Sequence, residues 1–473
     1  MRRAGRALFA ALLDGWPSLS RLSICCGRGN NAGDGYVVAE LARAHGIAVE
    51  LIQIGDPAAL TGDAATARDD ALSAGLEVIR TEDGEVALSG EVVVDALLGT
   101  GIQGAPRAAY ARLIERMNAA EAPVVAVDIP SGVAADTGAI AGAAVRAHTT
   151  VTFIGRKIGL HTGAGAALGG NVRHADLGVG RDVHAQVPGT DWLTFNDLSG
   201  SLESIGLPQQ GADAYKQALG HVVVVGGDES MGGAVAMAAE AVLRCGAGMV
   251  TVITRGAHRN AILARRPEVM VLNAEDSELV HEVLGKASAL VVGPGLGRRA
   301  WGQALFELAL DQAKPMLIDA DGLYWLAEGG AAAPADTIIT PHAAEAAKLL
   351  GRTVAEVQAD RLASAMELAQ RVNGVSVLKG AGTVVAAVAR VLGICAHGNP
   401  GMASAGMGDV LSGVIGGLLG QGARPEAAAV LGTCLHSLAG DRAAAVRGQR
   451  SLLATDLLPQ MVELLNAADG RNG

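Results

Sequence analysis

Short runs of apolar, mostly β-branched residues recur along the first 180 residues, and segments with helical spacing separate them. Because these runs are continuous rather than alternating, they indicate strands of a parallel sheet that is buried on both faces. The predicted strands are Leu22–Cys26, Val49–Ile54, Val92–Ala96, Val124–Ile129 and Thr149–Ile154, and the predicted helices between them include Tyr36–His45 and Arg107–Ala119.

A second series of apolar runs follows, again separated by helical patterns. Residues 183–219, between the two series, are rich in Asp, Ser, Gly, Pro and Gln and are predicted to form a linker. The sequence thus predicts two tandem three-layer α/β domains, over residues 1–182 and 220–473. The strands predicted in the second series are His221–Val225, Met249–Ile253, Ala289–Gly293, Met316–Asp319, Thr337–Thr340 and Ser376–Lys379, and the helices predicted at the end are Pro425–Val446 and Leu453–Leu465.

Composition restricts the partners of this chain. Hydrophobic residues make up 50% of its 473 residues and the mean hydropathy is +0.32, so we expect a large core and little disorder. A net charge of −11 gives no electrostatic attraction to nucleic acid or to an anionic membrane surface. Aromatic residues, which stack on single-stranded nucleic acid, are only 3% of the chain. We therefore expect neither a nucleic-acid nor a membrane partner.

The cysteines and the first residues indicate the compartment. The five cysteines are scattered in apolar segments and lack zinc-site spacing, which favours buried free thiols in a reducing compartment. The basic start is followed by an apolar stretch that is short and interrupted by Asp14, so we expect no secretion signal and predict a soluble cytoplasmic protein. The cysteines are Cys25, Cys26, Cys245, Cys395 and Cys434.

Three strand ends in the first half carry Asp close to Gly or Ser. Residues 27–35 read Gly-Arg-Gly-Asn-Asn-Ala-Gly-Asp-Gly, Asp95 precedes the glycines at 99 and 101, and Asp128 precedes Ser131. Open α/β sheets bind ligands at the carboxyl ends of their strands, so these loops predict a site. Their oxygen atoms suit a hard cation such as K⁺ or Mg²⁺. Each loop taken alone also fits an ordinary turn, in which Asn, Asp and Gly are common.

The most informative segment lies in the second half, at residues 399–413, where a glycine-rich turn opens a helix and Asp409 stands at its entry. Backbone N–H groups at a helix start form an anion site. A carboxylate placed there suits phosphoryl transfer, in which it takes a proton from the attacking hydroxyl group. Asp is also a common N-cap residue, and glycine-rich loops often only turn the chain, so the structural alternative stays open on these residues alone.

Other strand ends of the second half add backbone-rich and charged loops. Lys379 begins a Lys-Gly-Ala-Gly-Thr segment suited to phosphate, two carboxylates flank the strand end at residues 318–321, and His342 follows a strand. Taken together with Asp409, they indicate a nucleotide-dependent phosphoryl-transfer site. A histidine at a strand end is also often a hydrogen-bonded structural residue, and a lysine there is ambiguous.

These motifs resemble a known family. Gly-Arg-Gly-Asn-Asn-Ala-Gly-Asp-Gly, Val-Asp-Ala-Leu-Leu-Gly-Thr-Gly, Val-Asp-Ile-Pro-Ser-Gly and Thr-Phe-Ile-Gly-Arg-Lys, the last at residues 152–157, look like the NAD(P)H-hydrate epimerases. The second half looks like the ADP-dependent NAD(P)H-hydrate dehydratases, which have a ribokinase-like fold. The whole chain is therefore similar to the bifunctional NAD(P)H-hydrate repair family, with a Rossmann-like domain first and a ribokinase-like domain second.

The resemblance implies two reactions on NADH or NADPH whose nicotinamide ring has gained water. The first domain would interconvert the R and S hydrates, and the second would dehydrate the S form with ADP as co-substrate. In the first domain, Asp128 would bind the hydrate and act as the acid/base group, and Lys157 either assists it or is a solvated strand end. The remaining hydrate contacts would be Asn30, Asn31, Ala32, Gly33, Asp34, Gly99, Thr100, Gly101, Ile102, Gln103, Gly104 and Ala105, and the K⁺ ligands would be Asn31, Asp95 and Ser131.

In the second domain, the resemblance implies that Asp409 removes the proton of the hydrate hydroxyl group, which then takes phosphate from the nucleotide, with Mg²⁺ bridging the nucleotide phosphates. The hydrate contacts would be Ala234, Gly297, His342 and Asp409, and the nucleotide contacts would be Lys379, Gly380, Ala381, Gly382, Thr383 and Gly408.

Two departures from the family pattern are expected to matter. Family members normally carry a helical segment before the stretch matching Arg3-Ala4-Gly5, so we expect a shortened epimerase domain whose activity is less secure than that of the dehydratase. Tyr324 stands where the family usually has Asn. The alternative function is a ribokinase-like small-molecule kinase with a non-catalytic N-terminal ligand-binding module. The helical end and the apolar Gly/Ala-rich surface also predict a homo-oligomer.

Overall fold

The computed structural model describes residues 1–180, 187, 189–199, 215–329 and 332–468. The chain divides into two compact units, Met1–Gly189 and Thr190–Gly473. Much of the predicted linker 183–219 lies outside the described residues, including 200–214, so the exact domain limits stay predictions.

The described part of the first unit contains a parallel sheet with the strand order β3-β2-β1-β4-β5-β6-β7. Its strands are β1 Arg21–Cys26, β2 Ala48–Ile54, β3 Val78–Thr81, β4 Val92–Ala96, β5 Val124–Val127, β6 Thr149–Phe153 and β7 Asn171–Ala175. Its helices are Arg2–Gly15, Asn30–Ala44, Gly62–Ser73, Ala108–Ala119 and Gly163–Leu168.

Successive residues of the central strands of this sheet enter different cores. Ile24 and Val94 lie in one hydrophobic cluster, whereas their neighbours Cys25 and Val93 lie in another. Because side chains alternate along a strand, the two clusters cover the two faces of the sheet. This double burial explains the continuous apolar runs in the sequence.

The described part of the second unit contains a larger sheet with the order β11-β10-β9-β12-β13-β14-β15-β16-β17-β8. Along this order, neighbouring strands from β11 through β10, β9, β12, β13 and β14 to β15 pair in parallel. Strand β16 pairs antiparallel with β15 and with β17. The strands are β8 Trp192–Leu193, β9 His221–Val225, β10 Met249–Thr254, β11 Met270–Asn273, β12 Ala289–Val292, β13 Met316–Ile318, β14 Thr337–Ile339, β15 Val375–Leu378, β16 Val384–Ala387 and β17 Arg390–Cys395.

The helices of the second unit are Phe195–Ser199, Gly232–Arg244, Arg259–Arg265, Ser277–Lys286, Ala300–Leu310, Asp321–Gly329, Ala343–Leu350, Val354–Ala359, Arg361–Val372, Met407–Gly420, Pro425–Arg447 and Leu457–Ala468. The predicted fold class, two α/β units built on parallel sheets, is confirmed in the described residues.

The glycine-rich helix Met407–Gly420 is buried along most of its length and packs on the second sheet. A Cβ at Gly413 would come within 2.2 Å of the backbone oxygen of Ala238, and one at Gly416 within 2.2 Å of Val291. Larger residues at these positions would therefore push the helix away from its neighbours, which explains the glycine spacing.

All five cysteines are buried and unpaired by disulfides, as the sequence predicts. In the described part of the chain, no helix is both long and apolar enough to cross a membrane.

Candidate active sites at the carboxyl edges of the two sheets

The strand order of each sheet contains a position where the chain reverses direction across the sheet. In the first unit β1 has β2 on one side and β4 on the other, and in the second unit β9 has β10 on one side and β12 on the other. Loops that leave such neighbouring strands in opposite directions open a crevice in which α/β proteins bind ligands.

In the second unit, two strand ends bring a buried ion pair to this edge. Lys379 follows β15 and Asp319 follows β13, and Lys379 Nζ lies 2.7 Å from Asp319 Oδ1. Ser412 Oγ donates a hydrogen bond of 2.7 Å to the other oxygen, Asp319 Oδ2. Glu345 Oε2 lies 4.0 Å from Lys379 Nζ. The ammonium group is thus held among carboxylates at the sheet edge.

Asp409 stands beside this ion pair in the first turn of the helix Met407–Gly420. Burial and the charge of Asp319 raise the pKa of Asp409 to about 7, although Lys379 acts in the opposite direction. A carboxyl group that titrates near neutral pH is suited to accept and release a proton. The N-cap of this helix is Gly406, which has no side chain with which to cap it, and Asp409 lies inside the helix rather than at the N-cap.

The segment predicted to contact the nucleotide adjoins the same pair. A Cβ at Gly408 would lie 3.4 Å from Asp319 Oδ2 and 3.5 Å from Lys379 Nζ, so Gly408 leaves this space open. Gly380 has a φ of 142°, and Thr383 Oγ1 donates to its carbonyl oxygen at 3.1 Å. Together with Ala381 and Gly382 these residues form the turn between β15 and β16.

Arg361 is a buried residue of this site that the sequence interpretation missed. Its guanidinium donates to the carbonyl oxygens of Leu378 (2.9 Å) and Lys379 (3.2 Å), and its side chain also donates to Gln358 at 2.9 Å. It therefore fixes the backbone of the lysine loop. A signal was present, because Arg361 occupies the buried stripe of an amphipathic helix together with Ala365, where a charged residue is unexpected.

The hydrate contacts predicted in the second unit lie at the neighbouring strand ends. Ala234 is in the first turn of its helix, next to Gly295. Gly297 is held on both sides, since its N–H donates to Asp321 Oδ2 at 3.0 Å and its carbonyl accepts from Trp325 Nε1 at 2.9 Å. Trp325 and Asp321 are therefore positioning groups that the sequence interpretation did not single out for this role.

His342 and Tyr324 have structural contacts that sequence patterns left open. His342 is the N-cap of the helix Ala343–Leu350, and its Nδ1 accepts hydrogen bonds from the backbone N–H groups of residues 344 and 345. The ring of Tyr324 lies under two cations, with Lys348 Nζ at 3.6 Å and the guanidinium of Arg298 at 4.7 Å from its centroid.

In the first unit, Asp128 directly follows β5, and its side chain is held by several contacts. Its Oδ1 accepts hydrogen bonds from Thr152 Oγ1 (3.2 Å) and Phe153 N (3.0 Å), and it forms an ion pair with Lys157. Lys157 Nζ also donates to the carbonyl oxygen of Phe153 at 2.8 Å. The side chains of the ion pair are only 17% and 18% exposed, so Lys157 is not a solvated strand end.

A cavity of about 530 Å³ opens in front of Asp128. The motif that follows β1 contributes to it from the helix Asn30–Ala44, so Asn30 to Asp34 are helical and do not form the loop expected from the sequence. Of the predicted hydrate contacts, Ala32 and Gly33 are buried in this helix, and 103–105 are exposed and outside the described lining. The predicted contacts that line the cavity are Asn30, Asn31, Asp34, Gly99, Thr100, Gly101, Ile102 and Asp128.

The three predicted K⁺ ligands come together near the Leu98 carbonyl, beside the cavity that Asn31 lines. Ser131 donates to Asp95 through its Oγ (2.6 Å) and its N–H (2.7 Å), and Asn31 Nδ2 donates to the Leu98 carbonyl at 3.1 Å. Burial raises the pKa of Asp95 to about 6, while hydrogen bonds from Ser131 and Leu97 act to lower it. The hydrogen-bond donors to Asp95, on Ser131 and Leu97, are uncharged groups. A buried carboxylate among hydroxyl and carbonyl oxygens fits a monovalent cation.

The folds are those of a two-unit α/β protein with a candidate site at the carboxyl edge of each sheet. A family sequence model described as NAD(P)H-hydrate dehydratase matches residues 222–462, and one described as YjeF-related protein N-terminus matches residues 1–159. Curated relatives named bifunctional NAD(P)H-hydrate repair enzyme include that of Escherichia coli (44% identical, covering 98% of this chain and 89% of the relative) and that of Coxiella burnetii (42%, 98% and 94%). The chain belongs to this family of bifunctional NAD(P)H-hydrate repair enzymes.

Solved structures agree with the fold of the second unit. A ribokinase-like superfamily protein of Enterococcus faecalis has a TM-score of 0.54 and 30% identity, over 59% of this chain and 95% of that protein. An ADP/ATP-dependent NAD(P)H-hydrate dehydratase of Bacillus subtilis has a TM-score of 0.53 and 24% identity, over 60% and 100%, which supports the fold alone. The predicted enzyme class, an NAD(P)H-hydrate dehydratase joined to an epimerase, and its repair function are confirmed.

Proposed function

We propose that the second unit dehydrates the S hydrate of NADH or NADPH at the expense of ADP, with Asp409 as the base. The observation that carries this assignment is the position of Asp409, in the first turn of a glycine-preceded helix and beside the Lys379–Asp319 pair, with a pKa of about 7. At neutral pH an appreciable fraction of such a carboxyl group is ionised and able to accept a proton.

The reaction follows from the weakness of hydroxide as a leaving group. Asp409 takes the proton of the ring hydroxyl group, whose oxygen attacks the terminal phosphorus of ADP and releases AMP. The lone pair of the ring nitrogen then expels phosphate, and loss of a proton from the adjacent ring carbon restores the dihydronicotinamide. Backbone N–H groups at residues 406–409 stabilise negative charge on the phosphoryl group during transfer. The products are NADH or NADPH, AMP and phosphate.

Lys379 and its loop supply the nucleotide contacts in this proposal. Burial alone would lower the pKa of Lys379, but Asp319 and Glu345 hold it above its ordinary value, so the side chain stays positively charged. Its ammonium group is suited to a nucleotide phosphate, and the glycines at 380, 382 and 408 allow close approach of the backbone. Hydrate contacts would come from Ala234, Gly297, His342 and Asp409.

Mg²⁺ has no ready protein site here. In the part of the chain that the structure describes, no group of three or more His, Cys, Asp or Glu side chains is suited to a metal ion. Asp319 is already paired with Lys379. Mg²⁺ usually keeps several water ligands and binds through substrate phosphates, so we assign it to the nucleotide rather than to named side chains.

For the first unit we propose epimerisation of the R and S hydrates, with Asp128 as an acid/base group and K⁺ held by Asn31, Asp95 and Ser131. The cavity in front of Asp128 and the Asp128–Lys157 ion pair support this role. A potassium ion would neutralise the buried charge of Asp95 and so link the helix start after β1, the end of β4 and the loop after β5.

The test of the dehydratase proposal is recovery of dihydronicotinamide absorbance from the S hydrate of NADPH with ADP and Mg²⁺. Wild-type protein should restore it and form AMP, and Asp409→Asn should not. If the wild-type protein instead accumulates a phosphorylated product without restoring absorbance, the small-molecule kinase becomes the better assignment.

A cytoplasmic location and assembly into a homo-oligomer are also part of the proposal. The buried free thiols support a reducing compartment. The oligomer rests on the sequence composition described above, and mass measurement in solution would decide it.

A further inference from the structure

Two carboxyl groups from different elements line the cavity of the first unit. Asp128 follows β5, and Asp34 projects from the helix Asn30–Ala44. The same cavity is lined by Arg28 and by Tyr110 of the helix Ala108–Ala119. The family motif places Asp34 only among the residues that contact the hydrate, whereas its environment indicates a chemical role in addition to binding.

The two carboxyl groups have very different partners. Asp128 accepts hydrogen bonds from Thr152 and Phe153 and is paired with Lys157, so its side chain has several polar partners. Asp34 Oδ1 is buried and has no hydrogen-bond partner in the described residues. An unpartnered carboxylate oxygen is costly to bury, which favours the protonated form of Asp34.

The charges around Asp34 agree with this difference. Burial raises the pKa of Asp34 to about 7, the terminal amino group of Met1 opposes the shift, and the negative charge of Asp128 adds to it. Arg28, Tyr110 and the Asp128-bound Lys157 are the other titratable or charged groups at this cavity. Two carboxyl groups in such different environments can divide the roles of acid and base between them.

Epimerisation of the hydrate needs both roles. The hydroxyl group is on a ring carbon bonded to nitrogen, so the nitrogen lone pair can expel it once it is protonated. This breaks the C–O bond, releases water and leaves a cationic iminium ring. Water then adds to the other face of the same carbon, and a base removes its extra proton. The carbon is inverted, with no net change in atoms or electrons.

We propose that Asp34 is a catalytic residue of the epimerase, which donates the proton to the departing hydroxyl group while Asp128 accepts the proton of the water that adds. In the reverse direction the two groups exchange roles, and proton exchange with solvent restores the starting state. The inference rests on the proposed epimerase function of the first unit. It assigns to Asp34 a chemical step in addition to binding.

The experiment uses the full chain without ADP, so that the second unit cannot consume the S hydrate. Purified R hydrate of NADPH is added, and the ratio of R to S is followed by chromatography. We expect Asp34→Asn to lower kcat by about 10²- to 10⁴-fold, the range for loss of a general acid or base. Asp34→Glu should retain more activity than Asp34→Asn. The matched control is Glu40→Gln, a carboxylate on the same helix outside the described cavity lining.

The pH profile separates chemistry from binding. Because Asp34 must be protonated to act as the acid, wild-type kcat/KM should fall as the pH rises above about 7. Asp34→Asn should lose this dependence. A higher KM with unchanged kcat and an unchanged profile would overturn the inference and leave Asp34 as a binding group. The thermal unfolding temperature of the variant shows whether its first unit is still folded. Dehydration of the S hydrate after ADP is added shows whether its second unit is still active.

Failure of the underlying function would look different. If wild-type protein does not interconvert the hydrates, the epimerase proposal itself is wrong. If the wild type does so and Asp34→Asn is as fast, only the role of Asp34 is wrong. In ¹⁸O-labelled water each inversion should introduce one labelled oxygen, and inversion without label would contradict the water-loss step.

Discussion

Lys379 and Asp319 form a nearly buried ion pair, with Lys379 Nζ 2.7 Å from Asp319 Oδ1 and side-chain exposures of 20% and 2%. They come from different strand ends of one sheet, β15 and β13. Ser412 donates to the second oxygen of Asp319 and so ties the pair to the helix that carries Asp409. The distance between the lysine loop and the proposed base is therefore set by a hydrogen-bonded chain of side chains.

Breaking this pair should cost stability. Lys379→Met leaves Asp319 buried without its cation, so we expect the free energy of unfolding of the second unit to fall by about 3–5 kcal/mol. Denaturant unfolding would measure it. Lys286→Met is the matched control, because its ion pair with Glu282 is exposed and such pairs contribute about 0–1 kcal/mol. Equal losses in the two variants would contradict the structural role of Lys379.

Asp409→Asn should remove the proposed base while it preserves the shape of the side chain. We expect kcat for dehydration of the S hydrate to fall by about 10²- to 10⁴-fold, with little change in ADP affinity. Single-turnover kinetics and ADP binding by calorimetry would measure the two quantities. Asp311→Asn, at an exposed helix end, is the control. A fall in ADP affinity that accounts for all of the lost rate would assign Asp409 to nucleotide binding.

The dehydration rate should depend on pH through Asp409. Burial and Asp319 raise its pKa to about 7, so below that pH the carboxyl group is protonated and cannot act as a base. We therefore expect kcat/KM to rise with pH through about 7 and then level off. Rates of the S hydrate at saturating ADP would test this. A rate that falls over the same range would indicate that the protonated form of the group is the active one.

Potassium should stabilise the first unit through Asp95. Because Asp95 is buried without a cation in the described residues, K⁺ should raise the melting temperature relative to a large organic cation at equal ionic strength. The increase should vanish in Asp95→Asn, whereas Asp56→Asn, an exposed turn residue, should keep it. An identical increase in both variants would assign the effect to salt in general.

The central strands were predictable because strands that are buried on both faces consist of continuous apolar residues. The prediction missed β3, β7 and β11, which lie at or near sheet edges and carry polar residues, as in the Asn-Val-Arg-His-Ala of β7. Edge strands pack on fewer neighbours and leave a weaker pattern. The antiparallel pair β16–β17 was also missed, since Arg390 and Gly393 interrupt its apolar run.

Site residues that belong to sequence motifs were easier to predict than the buried residues that only support them. Lys379 and Asp128 directly follow strands, and Asp409 follows a glycine at the start of a helix, which marks all three in the sequence. Ser412 lies in the same helix as Asp409, but the residue that it contacts, Asp319, is 93 positions away in the sequence. Arg361 is marked in the sequence only as a charged residue in a buried helix stripe, and its contacts with the carbonyl groups of Leu378 and Lys379 follow from tertiary packing.

Asp128 combines two demands in one position. Its backbone has a φ of 64°, a left-handed conformation that Gly, Asn and Asp adopt far more readily than other residues. Of these three, Asp alone carries an ionisable group. Asn or Gly would keep the left-handed backbone but lose the ionisable group that the proposed epimerase role requires, and Glu would keep the carboxylate but strain the backbone, so few residues at position 128 meet both demands.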